Sequence, residues 1–171
     1  MALSCLWQPE SLWELCENHR KQNERVAYHT PAHVDYGGGK ITADRKVLVV
    51  DDEVHIVHVV AIKLRNNGFE VIAADNGAEG LKLALAEKPD IIVTDYQMPV
   101  MTGIELVEQL RQHEENKDTP VIMLTARSFA IPQQQQDDLR ISGCLSKPFS
   151  PKELLGNIED VLYQKQLVGS N

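Results

Sequence analysis

Cysteine is scarce in this chain, with Cys5, Cys16 and Cys144 the only three among 171 residues. Odd in number and widely separated, they do not make a disulfide framework and fit thiols kept reduced in a cytoplasm. Basic residues are also in short supply: 17 lysines and arginines face 25 aspartates and glutamates, for a net charge of −8. Such a chain has little with which to neutralise phosphates, which argues against nucleic acid as a direct partner. No apolar run reaches the length of a membrane span. Met1 to Glu10 lacks a basic start and is interrupted by Gln8, Pro9 and Glu10, so no signal peptide is read there. Internal repeats are missing, and the one low-complexity stretch, Gln133 to Gln136, reads as a solvated helix face.

What is present is the composition of a globular protein, 43% apolar and 25% charged, long enough for one domain plus an extension. Residues 1–44 read as an N-terminal arm. Ser11-Leu12-Trp13-Glu14 has capping-box spacing and predicts a helix to about Val26, followed by Thr30-Pro31 and a Gly37-Gly38-Gly39 linker. Residues 45–168 form the main domain, in which strand and helix patterns alternate five times. Buried-strand runs are expected at Val47–Val50, Glu70–Ala74, Ile91–Asp95, Thr119–Thr125 and Cys144–Ser146. Between and after them, helices are expected over Val54–Asn67, Ala78–Lys88 (Leu81, Ala84 and Leu85 inward), Gly103–Glu114, Gln133–Ile141 and Pro151–Gln166. This alternation predicts an α/β fold, a doubly wound parallel sheet covered by helices on both faces.

In a parallel sheet all strands deliver their carboxyl ends to one edge, where such folds place ligands. Asp51, Asp52, Asp95, Thr125 and Lys147 stand at or just past strand ends and are therefore expected to converge. Crowded carboxylates push one another toward the neutral form unless a cation intervenes, and Mg²⁺ with oxygen ligands answers that need. Lys147 adds positive charge and Thr125 a hydroxyl donor. Phosphoryl chemistry on an aspartate suits this set.

These residues resemble the response-regulator receiver domains of two-component signalling, over about Lys46 to Gln166. The resemblance rests on Asp51-Asp52 after strand one and on Asp95-Tyr96-Gln97-Met98-Pro99-Val100-Met101-Thr102-Gly103, which matches D-x-x-M-P-x-M-x-G. Thr125-Ala126 and Lys147-Pro148-Phe149 follow strands four and five with the family's spacing. The resemblance implies a five-stranded (βα)5 sheet of order 2-1-3-4-5, like the chemotaxis regulator CheY. It makes Asp95 the phosphoacceptor and Asp51, Asp52, Asp95 and the Gln97 backbone carbonyl the Mg²⁺ ligands. Thr125 and Lys147 would hold phosphoryl oxygens, with a cis Lys147-Pro148 bond. It further implies a phosphohistidine donor (a sensor histidine kinase or histidine phosphotransfer protein), a downstream effector protein, and signalling rather than enzymatic turnover. A chain ending soon after its last helix is expected to act as a single-domain receiver.

One position departs from the pattern. Cys144 stands where the family usually has Tyr or Phe three residues before the lysine, so aromatic switching is in doubt, and a small core-lining residue is expected there. Gln97 and Arg127 flank the expected path of attacking water. His19 lacks the surroundings of a phosphotransfer histidine, while His29/His33 and His55/His58 read as exposed polar pairs. The alternative function is a pseudo-receiver, an interaction scaffold that keeps the fold without using Asp95. A haloacid-dehalogenase-type phosphatase is disfavoured by Gln97, where its second aspartate would stand. A dinucleotide-binding fold is disfavoured because no glycine-rich turn follows the first strand.

Overall fold

The computed structural model describes residues 45–126 and 131–168. The arm helix, the glycine linker, His19, His29, His33 and Arg127 lie outside the described residues. Five strands, β1 (Lys46–Val50), β2 (Glu70–Ala74), β3 (Ile91–Asp95), β4 (Val121–Ala126) and β5 (Ile141–Lys147), form one sheet. All pairings are parallel and the order is β2-β1-β3-β4-β5. Five helices alternate with them: α1 (Val54–Arg65), α2 (Gly77–Glu87), α3 (Gly103–Arg111), α4 (Gln133–Asp138) and α5 (Pro151–Val168).

The central strands read as unbroken apolar runs because helices cover both of their faces. Alternate residues sort cleanly between two cores. Val47, Val49, Ile91, Val93, Ile122 and Leu124 pack against Val60 and Leu64 of α1 and Leu154, Ile158 and Leu162 of α5. Leu48, Val50, Ile92, Val121 and Met123 pack on the opposite face against Ala84 of α2 and Leu106, Val107 and Leu110 of α3. Each fully buried aliphatic side chain stabilises the fold by roughly 1.5–3 kcal/mol, so these two layers hold the sheet edge in place.

Local chemistry sets the helix boundaries. Asn76 accepts a hydrogen bond from the Glu79 N–H and starts α2. Thr102 and Glu105 complete a capping box at the start of α3. The N-terminus of α3 stands so close to β3 that a Cβ on Gly103 would lie 2.1 Å from the Asp95 carbonyl oxygen. The glycine ending the D-x-x-M-P-x-M-x-G stretch is therefore required by contact with the strand that carries Asp95.

Several expected boundaries are corrected. Helix α1 stops at Arg65, and Gly68, at φ 91°, then reverses the chain into β2. Helix α3 stops at Arg111, three residues early, and β4 begins at Val121 instead of Thr119. The Arg111 guanidinium donates to the carbonyls of Leu139, Asn116, Thr119 and Arg140, tying the α3–β4 connection to the α4–β5 corner. Helix α4 has six residues instead of nine and buries none of them. Arg140 adopts φ 51° and breaks the helix, so Ile141 pairs with Val121 in β5, which is longer than expected. Leu85 belongs to neither core; Leu83 packs beside Leu81 instead.

Replacing Gly103 by alanine should lower stability by about 2–3 kcal/mol, since backbone rather than a flexible side chain must move. Urea denaturation measures this, and a change under about 0.5 kcal/mol would show that α3 can shift freely away from β3.

Candidate functional site

The carboxyl ends of β1, β3, β4 and β5 deliver Asp51, Asp95, Thr125 and Lys147 to one edge of the sheet, as the strand pattern predicts. Asp51 is fully buried, while Asp95 and Thr125 are 6% and 4% exposed. The Lys147 ammonium lies 2.7 Å from Asp95 Oδ1 and 2.8 Å from Asp51 Oδ2, joining the ends of three strands in one ionic cluster. The Lys147-Pro148 bond is cis. Neither oxygen of either buried carboxylate is left to itself. Asp51 Oδ1 accepts the Glu53 N–H at 2.9 Å, and Asp95 Oδ2 accepts the Gln97 N–H at 2.8 Å. Asp52 differs from both: it is exposed at the rim, with no hydrogen bond or ion pair among the described residues. The Thr125 hydroxyl likewise makes no side-chain hydrogen bond among them.

Burial pushes the Asp51 carboxyl above its ordinary value, against the opposing pull of Lys147 and the Glu53 N–H. For Lys147 burial acts downward, but hydrogen bonds to Asp51 and Asp95 outweigh it and raise the ammonium well above the usual lysine value. One ammonium thus offsets the charge of two buried carboxylates at the sheet edge.

Among the described residues no three Asp, Glu, His or Cys side chains converge tightly enough to enclose a cation. Lys147 occupies the space between Asp51 and Asp95. The donor chemistry nevertheless suits a hard divalent ion: two buried carboxylates, a third at the rim, and the nearby Gln97 carbonyl are all oxygen ligands.

The loop after Asp95 is tightly turned. The Met101 N–H donates to the Pro99 carbonyl at 2.8 Å around Val100, which has φ 70° and is 87% exposed. This is a γ-turn of the strained, positive-φ kind, centred on a β-branched residue. On the inner side, a Cβ at Gly77 would lie 2.5 Å from the Met101 carbonyl oxygen, so α2 clamps the loop from below.

One expectation needs revision, and one residue must be added. Cys144 is exposed on the edge strand β5 rather than lining the core, because β5 has no outer neighbour among the described residues. Enough of it is covered that burial pushes the thiol upward, away from reactive thiolate character. Glu53, which sequence reasoning passed over, places Oε1 3.2 Å from Lys147 Nζ as a third acid on the lysine. Its position directly after the acidic pair was the available signal.

Because the folded state favours protonated Asp51, the stability this group contributes is present below the usual carboxylate pKa and lost as pH rises through the raised one. Asp51→Asn should therefore raise Tm in metal-free buffer at pH 7, with the gain fading toward pH 4. A gap that is constant with pH would reject the burial account. Val100→Asn, which accepts the left-handed region more readily, should add about 1 kcal/mol. Unchanged denaturant midpoints would show that the turn carries no strain.

An open groove of about 530 Å³ adjoins the cluster, lined by Ile56, Val59, Pro148 and Phe149, with Glu53 and Lys147 at one end. Exposed Val54, Val59 and Ile62 continue this apolar surface along α1. No helix among the described residues is long and apolar enough to cross a membrane.

Comparison with known proteins agrees with this geometry. Residues 47–159 match the family model described as the response regulator receiver domain. The chain is 38% identical over 124 residues to the alkaline phosphatase synthesis transcriptional regulatory protein PhoP of Bacillus subtilis, covering 72% of this chain and 51% of that one. It is 35% identical over 118 residues to the phosphate regulon transcriptional regulatory protein PhoB of Pseudomonas aeruginosa, covering 69% and 52%. The chain thus spans about half the length of the curated relatives it matches. Among solved structures, the chemotaxis response regulator CheY4 of Vibrio cholerae superposes with a TM-score of 0.65 at 38% identity, over 70% of this chain and 99% of that one. A putative response regulator from Chloroflexus aurantiacus gives 0.65 at 30% identity, over 70% and 98%. With the strand order, the acidic pair, the strand-end aspartate and the lysine all in place, the chain belongs to the response regulator receiver domain family.

Proposed function

We propose that this receiver domain is a phosphoacceptor, and that Asp95 takes a phosphoryl group from a phosphohistidine on a sensor histidine kinase or histidine phosphotransfer protein. The observation that carries this reading is the Lys147 ammonium held between the buried Asp51 and Asp95 at the carboxyl edge of the sheet. An Asp95 oxygen forms the new O–P bond while the P–N bond to the donor breaks, its electron pair remaining on the imidazole nitrogen. Lys147 neutralises charge on the transferring oxygens, and the Thr125 hydroxyl donates to one of them. Asp51, Asp52, Asp95 and the Gln97 carbonyl would hold Mg²⁺, which when bound supplies further neutralisation of phosphoryl charge.

The groove beside Lys147 and the exposed apolar residues of α1 suit contact with the donor protein. Output passes through protein contacts to an effector. With Cys144 exposed on β5, no aromatic is available at that position to turn inward, so the signal leaves by another route. The work is done inside the cell, and the domain assists its own phosphorylation without turning over a substrate.

Intact mass after incubation with acetyl phosphate tests this directly. Wild type with Mg²⁺ should gain one phosphoryl group, while Asp95→Asn, or wild type with excess chelator, should gain none. Wild type that stays unmodified under all conditions would overturn the reading and favour an interaction scaffold.

A further inference from the structure

Glu53 has no part in the phosphoacceptor reading, yet it touches the residue on which that reading depends. An ammonium has three N–H donors. On Lys147 they face three carboxylates: Asp95 Oδ1 at 2.7 Å, Asp51 Oδ2 at 2.8 Å and Glu53 Oε1 at 3.2 Å. Lys147 is hydrogen-bonded to Asp51 and Glu53 and ion-paired to Asp95, so a phosphoryl oxygen arriving at Asp95 finds it ringed by three carboxylates, and one must let go. Asp51 is fully buried and further fixed by the Glu53 N–H. Asp95 is itself the acceptor. Glu53 makes the longest of the three contacts, from a side chain 45% exposed at the mouth of the crevice. Its other oxygen lies 3.4 Å from His55 Nε2, a second place for the carboxylate to rest once displaced.

We propose that Glu53 is a positioning residue that holds the place of a phosphoryl oxygen on Lys147, and so sets how readily anionic donors enter the site. This rests on the phosphoacceptor reading. Glu53 occupies one donor of Lys147 in the unmodified domain and adds negative charge where a dianionic phosphodonor must pass. Both effects oppose entry rather than the bond-making step. They should appear in the donor concentration needed for half-maximal rate and leave the maximal rate nearly unchanged.

The variants can be expected to fold, because Glu53 caps α1 with its backbone alone and makes no side-chain capping bond. Phosphorylation of the full chain by acetyl phosphate, with Mg²⁺ at low ionic strength, is the test. Glu53→Ala should lower the half-saturating concentration about three- to tenfold, the scale of removing one unscreened charge near the site. Glu53→Asp keeps the charge but is one methylene shorter, so a displaced contact predicts an intermediate shift. High salt should shrink the Ala effect without abolishing it, since the freed donor on Lys147 remains. If wild type is phosphorylated but Glu53→Ala keeps its half-saturating concentration within twofold, or raises it, the inference fails while the phosphoacceptor reading stands. If wild type is never phosphorylated, both fall together.

Discussion

Two carboxylates can be buried side by side at the end of a parallel sheet only if a cation is buried with them. Removing a carboxylate from water costs several kcal/mol even after the protein relaxes, and two nearby carboxylates add mutual repulsion. Lys147 removes that conflict. It reaches from β5, past β4, to touch the aspartates that end β1 and β3. Losing Lys147 from such a buried set typically costs about 3–5 kcal/mol, because two carboxylates are left stranded together. The cluster is therefore both the centre of the candidate chemistry and a constraint on how three strands terminate.

The scaffold around the cluster serves mainly to hold that edge still. Two aliphatic layers fix the strands in register, so their ends arrive together. The loop after Asp95 is held between α2 and α3 by contacts that only glycine allows, at Gly77 and Gly103. Val100 departs from this economy: it keeps a strained turn out in solvent, in the loop that follows Asp95. The other side of the domain is looser. Helix α4 buries nothing and is stitched by Gln133–Asp137 and Gln134–Asp138 hydrogen bonds, with Arg111 fastening the corner beyond it. Local opening is cheapest where few apolar contacts must be broken, which makes α4 the weakest-held helix of the described residues.

Much of this was legible in the chain. Strands with apolar runs on both faces announce a parallel sheet, since nothing else buries both sides of a strand, and parallel strands bring Asp51, Asp95, Thr125 and Lys147 to one edge. Glycine at 103 and the capping box at Thr102 act over a few residues and can be read locally. The helix-to-strand boundary at Arg140 could not, because it depends on a left-handed residue and on Ile141 finding Val121 across the sheet.

The sequence by itself determined the fold class, the strand order through its family likeness, and the meeting of Asp51, Asp95, Thr125 and Lys147 at one sheet edge. Those follow from periodicity and from residues fixed by their neighbours in the chain. Only the tertiary structure decided how they meet. It placed Lys147 between Asp51 and Asp95, left Asp52 at the rim, turned Cys144 outward on an edge strand, and brought Glu53 onto the lysine. Each of these depends on distances between strands far apart in sequence, and on which strand stands at the edge of the described sheet, quantities that no local pattern of residues contains.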